Sequence, residues 1–261
     1  MPDSAPSTPL VAIADGVATV TLNRPAHRNR LEDADLHALL DTLARVDADP
    51  AVRVLVLTAN TRGQPRPVFS AGYHIGGFDG AAHDPQLFEK IPDALAALRP
   101  ISICALNGSV YGGATDLVLA CDLRVGLAGT ELRMPATALG LHYYPSGLQR
   151  FVARLGINGA KRAFLTARPF SAERLLHMDC LEELAPNPEA FDQAVARLVH
   201  DVARLAPLAV QATKQSLDEI STGRSNLPAM RAREALTAGS ADFAEGRAAF
   251  LEKRAPRFTG R

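Results

Sequence analysis

The sequence predicts an α/β fold followed by a helical carboxyl-terminal region. Two runs, VRVLVLTA over 52–59 and ISICAL over 101–106, are apolar enough to be buried strands, and a helical pattern over 85–98 lies between them. Strand and helix alternating at this spacing favour right-handed crossovers and a mostly parallel sheet. From about residue 146 onward no strand run is found; amphipathic helical patterns are broken instead by Pro169, Pro186, Pro188, Pro207 and Pro228. A chain of 261 residues should bury about 70–75% of its unfolded surface, so a sizeable core is available.

Each element follows from local chemistry. MPDSAPSTP, residues 1–9, is expected to be a disordered tail. LVAIADGVATVTL, residues 10–22, places two β-rich runs around Asp15-Gly16, a pair that tolerates the positive φ angles of a tight hairpin. After Asn23-Arg24-Pro25, the residues Leu36, Leu39, Leu40, Leu43 and Val46 recur at helical spacing. Asp33 and Asp35 suit the helix start, and Pro50 ends it. The reading divides the chain into the tail, a core over 10–200 and a helical region over 201–261, with no Gly/Ser linker between them.

Composition excludes several classes of function. The 28 basic and 28 acidic residues cancel, which leaves no global field to draw the protein to nucleic acid or an anionic membrane. No stretch of about 18 uncharged apolar residues occurs, so no membrane span is expected. Cys104, Cys121 and Cys180 fit neither a disulfide framework nor a zinc site and point to a reducing cytoplasm. His27, His37, His83, His177 and His200 show no ligand spacing, and no metal site is expected.

Two glycine turns carry the chemical signal. The first is Phe69-Ser70-Ala71-Gly72-Tyr73-His74-Ile75-Gly76-Gly77. The second, Asn107 to Leu117 with Gly112-Gly113 inside it, follows the strand at 101–106 and opens an apolar helix. Glycines at a strand-to-helix turn let backbone approach a ligand, and N–H groups at a helix start can hold developing negative charge. Taken alone, Gly112-Gly113 can equally be a tight turn without chemistry.

Together the two turns resemble those of the enoyl-CoA hydratase/isomerase, or crotonase, superfamily. VATVTLNRPAHRNRL, residues 17–31, resembles its opening strand and Asn-Arg-Pro turn, and ISICALNGSVYGGATDLVLACDLRVG its central signature. LAPLAVQATKQSL, residues 205–217, and SADFAEGRAAFLEKRAPRFTGR, residues 240–261, resemble its carboxyl-terminal helices. The resemblance implies a spiral of ββα turns with a helical trimerisation region, assembled as a homotrimer or as a hexamer made of two trimers. It implies that an acyl-CoA thioester is the substrate, coenzyme A being part of that substrate rather than a separate cofactor. The thioester carbonyl would lie between the backbone N–H groups of Tyr73 and Gly113, with the Tyr73 side chain free to line the acyl pocket. Arg28, Ala71 and Lys253 fall where the family contacts CoA, the lysine reaching a neighbouring subunit's nucleotide.

The same resemblance places Asp116 at the first of the two glutamates that hydratases use, although an acid in a first helical turn is also what the dipole favours. The second position reads Pro135-Ala136, so two-carboxylate hydration cannot proceed in its usual form. His142, Tyr143 and Tyr144 follow at the place where some decarboxylases and dehalogenases carry a polar residue, Tyr143 matching best. A Tyr-Tyr pair beside proline also suits plain loop packing. His74 replaces the usual Asp and reads as a structural residue of the turn. SAERLLHMDCLEEL, residues 171–184, departs from the family's turn, which predicts an altered helix below the acyl pocket. The expected activity is lyase-type, hydration or decarboxylation of a CoA ester. Double-bond isomerisation and a non-catalytic acyl-CoA-binding scaffold are the alternatives.

Overall fold

A computed structural model describes residues 9–74 and 84–261. The expectations for the tail, Ile75 to Gly77 and His83 therefore lie wholly or largely outside the described residues. The chain opens with the antiparallel hairpin β1 (Leu10–Ala14) and β2 (Val17–Leu22), whose turn residues Asp15 and Gly16 take φ of 50° and 75°. α1 (Asp33–Ala48) follows, closed at its start by a capping box between Glu32 and Asp35, and it buries Leu36, Leu39, Leu43 and Val46.

Two strands and a helix then repeat. The first turn is β3 (Val54–Ala59), β4 (Val68–Ser70) and α2 (Leu87–Ala97). The second is β5 (Ile101–Leu106), β6 (Ser109–Tyr111) and α3 (Ala114–Ala120). The third is β7 (Leu123–Leu127), β8 (Glu131–Arg133), a 3-10 turn over Ala136–Leu139 and α4 (Pro145–Thr166). First strands collect in a six-stranded sheet of order β1-β2-β3-β5-β7-β10, and second strands in a four-stranded sheet of order β4-β6-β8-β9. From β2 to β10 the large sheet is parallel, with β3 and β5 in register at Val54↔Ile101. This is the spiral that the resemblance implies.

The second half is not purely helical. β9 (Phe170–Ser171), α5 (Ala172–His177) and β10 (Glu183–Ala185) precede α6 (Pro188–Ala203), and β10 extends the large sheet beside β7. Sequence periodicity misses strands of two and three residues because they are shorter than the window that reveals alternation. α6 covers one face of the large sheet through Phe191 and Ala194 against Val54, Val56, Ile103 and Val125. α1 to α4 bury the other side in a larger core. Helices α7 (Pro207–Ser221), α8 (Leu227–Ala238) and α9 (Ala241–Glu252) form the carboxyl-terminal arm. No helix among the described residues is long and apolar enough to cross a membrane.

Candidate active site

The first glycine turn is strapped to the segment before α1. Ala71 N–H donates to the Arg28 carbonyl at 2.8 Å, Leu31 N–H to the Gly72 carbonyl at 2.9 Å and His74 N–H to the Leu31 carbonyl at 2.9 Å. Asn29, buried at φ 51°, anchors this strap by donating to the Asn60 and Val68 carbonyls, while Ser70 Oγ donates to the Asn29 carbonyl. In an extended segment successive peptide groups face opposite sides, so the Tyr73 N–H is directed away from Leu31.

The second turn comes up against the first. Gly72 has φ 92°, and a Cβ there would lie 2.8 Å from the Tyr111 carbonyl oxygen, 3.4 Å from Gly112 Cα and 3.5 Å from Gly113 N. Only glycine permits backbones this close, and at this φ only glycine is unstrained. Gly113 heads α3, and its N–H finds no acceptor among the described residues. The central turn differs from the sequence reading in one respect: β6 intervenes between Asn107-Gly108 and Gly112-Gly113. A Cβ on Gly108 would sit 2.6 Å from Phe69 N, so that glycine serves the close approach of β4.

Asp116 lies one helical turn beyond Gly113 and is fully buried. Both its oxygens accept hydrogen bonds: Arg150 Nε donates to Oδ1 at 2.8 Å, Arg150 Nη2 to Oδ2 at 3.0 Å, and the Tyr144 hydroxyl also donates to Oδ2. Arg150 Nη2 continues to Asp93 on α2 at 2.9 Å. Against the cost of its burial, the hydrogen bonds and charge of Asp116 hold Arg150 more firmly protonated than usual. Burial, with the Asp116 charge beside it, pushes the Tyr144 phenol far above its ordinary value, so Tyr144 is a neutral donor.

The phenol that reaches Asp116 is thus Tyr144 and not Tyr143. Tyr143 is buried among Phe151, Phe164 and Tyr144, and touches the network only by donating its hydroxyl to Tyr144 at 3.0 Å. His142 is exposed and outside the network. The Tyr73 hydroxyl donates to Asp33, and its ring packs on Phe88 with centroids 5.5 Å apart. Burial and the Asp33 hydrogen bond raise that phenol too. His74 lies near Glu32 and helps keep that carboxylate below its usual range, behind the larger effect of the Arg30 hydrogen bond.

Phe88 and Ala136 complete the surroundings. The Phe88 ring lies against Gly113, where a Cβ would meet it at 2.7 Å, and its centroid is 6.4 Å from that of Tyr144. Ala136 is buried and brings no second acid. Arg28 and Ala71 are exposed side by side at the rim. Lys253 is the exposed left-handed cap of α9, a helix that packs on α8. The three cysteines are free and buried, and no cluster of metal-ligating side chains occurs among the described residues.

Arg150, Asp93 and Phe88 were not singled out in the sequence as partners of this site, and Tyr144 was named there only beside the better-matching Tyr143. Arg150 stands four residues after Ser146 on α4, on an amphipathic face where an arginine reads as one more solvated charge. No local signal could have paired it with Asp116.

A two-sheet ββα spiral with a helical arm, in which two glycine turns meet beside a buried carboxylate, defines a crotonase-fold protein. The enoyl-CoA hydratase/isomerase family profile matches residues 12–261, and the chain belongs to that family. It is 30% identical over 258 residues to the 2,3-dehydroadipyl-CoA hydratase of Escherichia coli, covering 97% of this chain and 98% of the relative. It is 28% identical over 259 residues to the methylmalonyl-CoA decarboxylase of the same organism, covering 96% and 97%. The crystal structure of a putative enoyl-CoA hydratase from Streptomyces coelicolor superposes with a TM-score of 0.86 at 29% identity, over all of this chain and 98% of that one.

Proposed function

We propose that this protein is an acyl-CoA lyase that works through a thioester enolate, most simply by adding water to, or removing it from, a 2-enoyl-CoA. The observation that carries the reading is a buried carboxylate, Asp116, one helical turn from the N–H of Gly113 and beside the Gly72-Tyr73 turn. The thioester oxygen sits between the Tyr73 and Gly113 N–H groups and takes up charge as the enolate forms. Losing one such preorganised donor raises a barrier by about 3–4 kcal/mol.

With alanine at 136, one carboxylate must do both halves of the proton transfer. Water gives a proton to Asp116 as its oxygen bonds to Cβ, and the same proton passes to Cα as the enolate collapses. Tyr144 and Arg150 fix the carboxylate while this happens. The relative named as a dehydroadipyl-CoA hydratase supports this reaction class.

Decarboxylation is the second reading, favoured by a different feature of the same network. Both Asp116 oxygens already accept hydrogen bonds, Oδ1 from Arg150 and Oδ2 from Arg150 and Tyr144. Loss of CO2 from a malonyl-type thioester generates the enolate directly, with no base, and the methylmalonyl-CoA decarboxylase among the relatives fits this route. Turnover of crotonyl-CoA, a 3-enoyl-CoA and methylmalonyl-CoA separates hydration, isomerisation and decarboxylation. Asp116→Asn is expected to lower hydration at least about 100-fold; near-full activity in that variant would remove Asp116 from the mechanism.

The same reading extends to CoA and to assembly. Arg28 and Ala71 would meet CoA, and Lys253, on the carboxyl-terminal arm, would serve a neighbouring subunit. Leu217, Ile220, Leu227, Leu236, Phe250 and Leu251 expose apolar surface along the arm, as a trimer-forming element does.

A further inference from the structure

β1 is the outermost strand of the six-stranded sheet, paired with β2 on one side and with no strand among the described residues on the other. The hairpin shows which of its peptide groups look outward. At the two ends of β2, the Gly16 and Leu22 carbonyls turn to the β3 side, accepting from Arg53 N–H and Asn60 N–H, each at 2.8 Å. Peptide groups alternate along a strand, so Val17, Thr19 and Thr21 face β1, where their register partners are Ala14, Ala12 and Leu10. The two-residue turn at Asp15-Gly16, both at positive φ, has the same consequence, because the residues flanking such a turn bond to each other. The N–H and C=O groups of Val11 and Ile13 are therefore the ones directed off the sheet edge, and none has a partner among the described residues.

Sheet edges of soluble proteins are usually blunted by a charge, a proline or a bulge. LVAIA has none of these: all five residues are apolar and exposed, and the register with β2 runs unbroken from Leu10↔Thr21 to Ala14↔Val17. Such an edge is complementary to another extended, apolar strand. Its own pattern matches itself in one register. With two copies antiparallel about Ala12, Val11 meets the second copy's Ile13 and Ile13 meets the second copy's Val11, which satisfies all the outward groups of both chains. A shift by two residues in either direction brings in Pro9, which has no N–H, or the turn residue Asp15. The antiparallel arrangement also keeps the two Asp15 carboxylates at opposite ends, where a parallel one would set them side by side. A net charge of zero puts no general repulsion between copies.

We infer that β1 pairs antiparallel with β1 of a second copy across a two-fold axis, joining the two six-stranded sheets edge to edge. The contact is isologous, so each one links two chains and is then closed. It uses no residue of the carboxyl-terminal arm and is independent of association through α7 to α9. An edge of five residues is a small interface, so this association is expected to be weak and concentration-dependent.

Sedimentation equilibrium of the full chain over a range of concentrations, with amide exchange followed residue by residue, tests this. In dilute protein the Val11 and Ile13 amides should exchange freely while those of Ala12 and Ala14 are protected; raising the concentration should slow Val11 and Ile13 at least about tenfold. Ile13→Pro removes an N–H that the hairpin does not use. It should leave the melting temperature nearly unchanged and weaken self-association through this edge at least about tenfold. Ile13→Lys keeps the N–H and puts a charge on the edge; it should weaken association likewise, and it decides the matter where proline perturbs the hairpin. Concentration-dependent protection that survives both variants, or Val11 and Ile13 amides that exchange freely at every concentration, would overturn the inference. Protection already complete in dilute protein would mean that a segment of the same chain covers the edge, and would overturn it as well.

Discussion

The spiral core and the carboxyl-terminal arm are built on opposite principles. α3 is buried along its whole length, and every residue of β5 is buried. α7 and α8 bury no residue at all, and α9 buries only Asp242 and Ala249. The arm is tied down by polar contacts: Lys214 to Asp122 at 2.8 Å and to the Pro100 carbonyl at 3.1 Å, and Arg53 to the Phe258 carbonyl at 2.8 Å. The Asp242 carboxylate in turn accepts the N–H groups of Thr259 and Gly260. A core held by apolar burial can place two peptide N–H groups to within tenths of an ångström, because close packing leaves it few alternatives. An arm held by a few charged contacts leaves its apolar side chains outward within one chain.

The largest effect is expected where the core is tightest. Gly72→Ala puts a methyl 2.8 Å from the Tyr111 carbonyl at a φ of 92°, so one of the two turns must move. Displacing a single oxyanion donor costs about 10²–10³ in kcat, and this loss should come with little change in affinity for a CoA ester. Steady-state kinetics with calorimetric binding on one preparation checks both halves. Wild-type kcat in the Gly72→Ala variant would show that the meeting of the two turns is architectural only.

Legibility in the sequence follows the same divide. The hairpin at Asp15-Gly16, the strands β3 and β5 and the helix α1 were readable because burial writes period-2 or period-3.6 patterns into contiguous residues. Strands β4, β6, β8, β9 and β10, of three residues or fewer, write none, and the family resemblance supplied the spiral that periodicity could not. At the site, Gly72, Gly113 and Asp116 were marked by local motifs. Arg150 and Asp93 were not, because pairing across 34 and 57 residues is a property of the folded spiral alone. Which of the adjacent Tyr143 and Tyr144 bonds Asp116 was hidden for a related reason: neighbouring residues at a helix start point in different directions, and the sequence does not say which one faces Asp116.

A middle-sized effect should separate polar anchoring of the arm from apolar anchoring. Lys214 and Asp122 are nearly buried, with side chains 9% and 13% exposed, so their contact is shielded from solvent. Lys214→Met keeps most of the side-chain volume and removes the charge, and is expected to cost about 2 kcal/mol in denaturant unfolding. Faster amide exchange should appear in α7, while β3 and β5 stay protected. A loss below about 0.5 kcal/mol would mean that the arm is held by contacts other than these.

The smallest effect on the isolated chain belongs to the outward face of the arm. Phe250 is 83% exposed and Leu251 78%, so replacing either removes almost no burial within one chain. Phe250→Ser should therefore shift monomer stability by less than about 0.5 kcal/mol. If the arm finds its missing neighbours in other copies of the chain, the same substitution deletes an aromatic contact from every interface it enters, and sedimentation equilibrium should register weakened association. Unchanged mass together with unchanged stability would leave that apolar face without a partner of its own kind, and would separate Lys253 from any neighbouring subunit's CoA. The variant thus tests whether the arm's loose anchoring is a defect of the single chain or the condition for building a larger assembly.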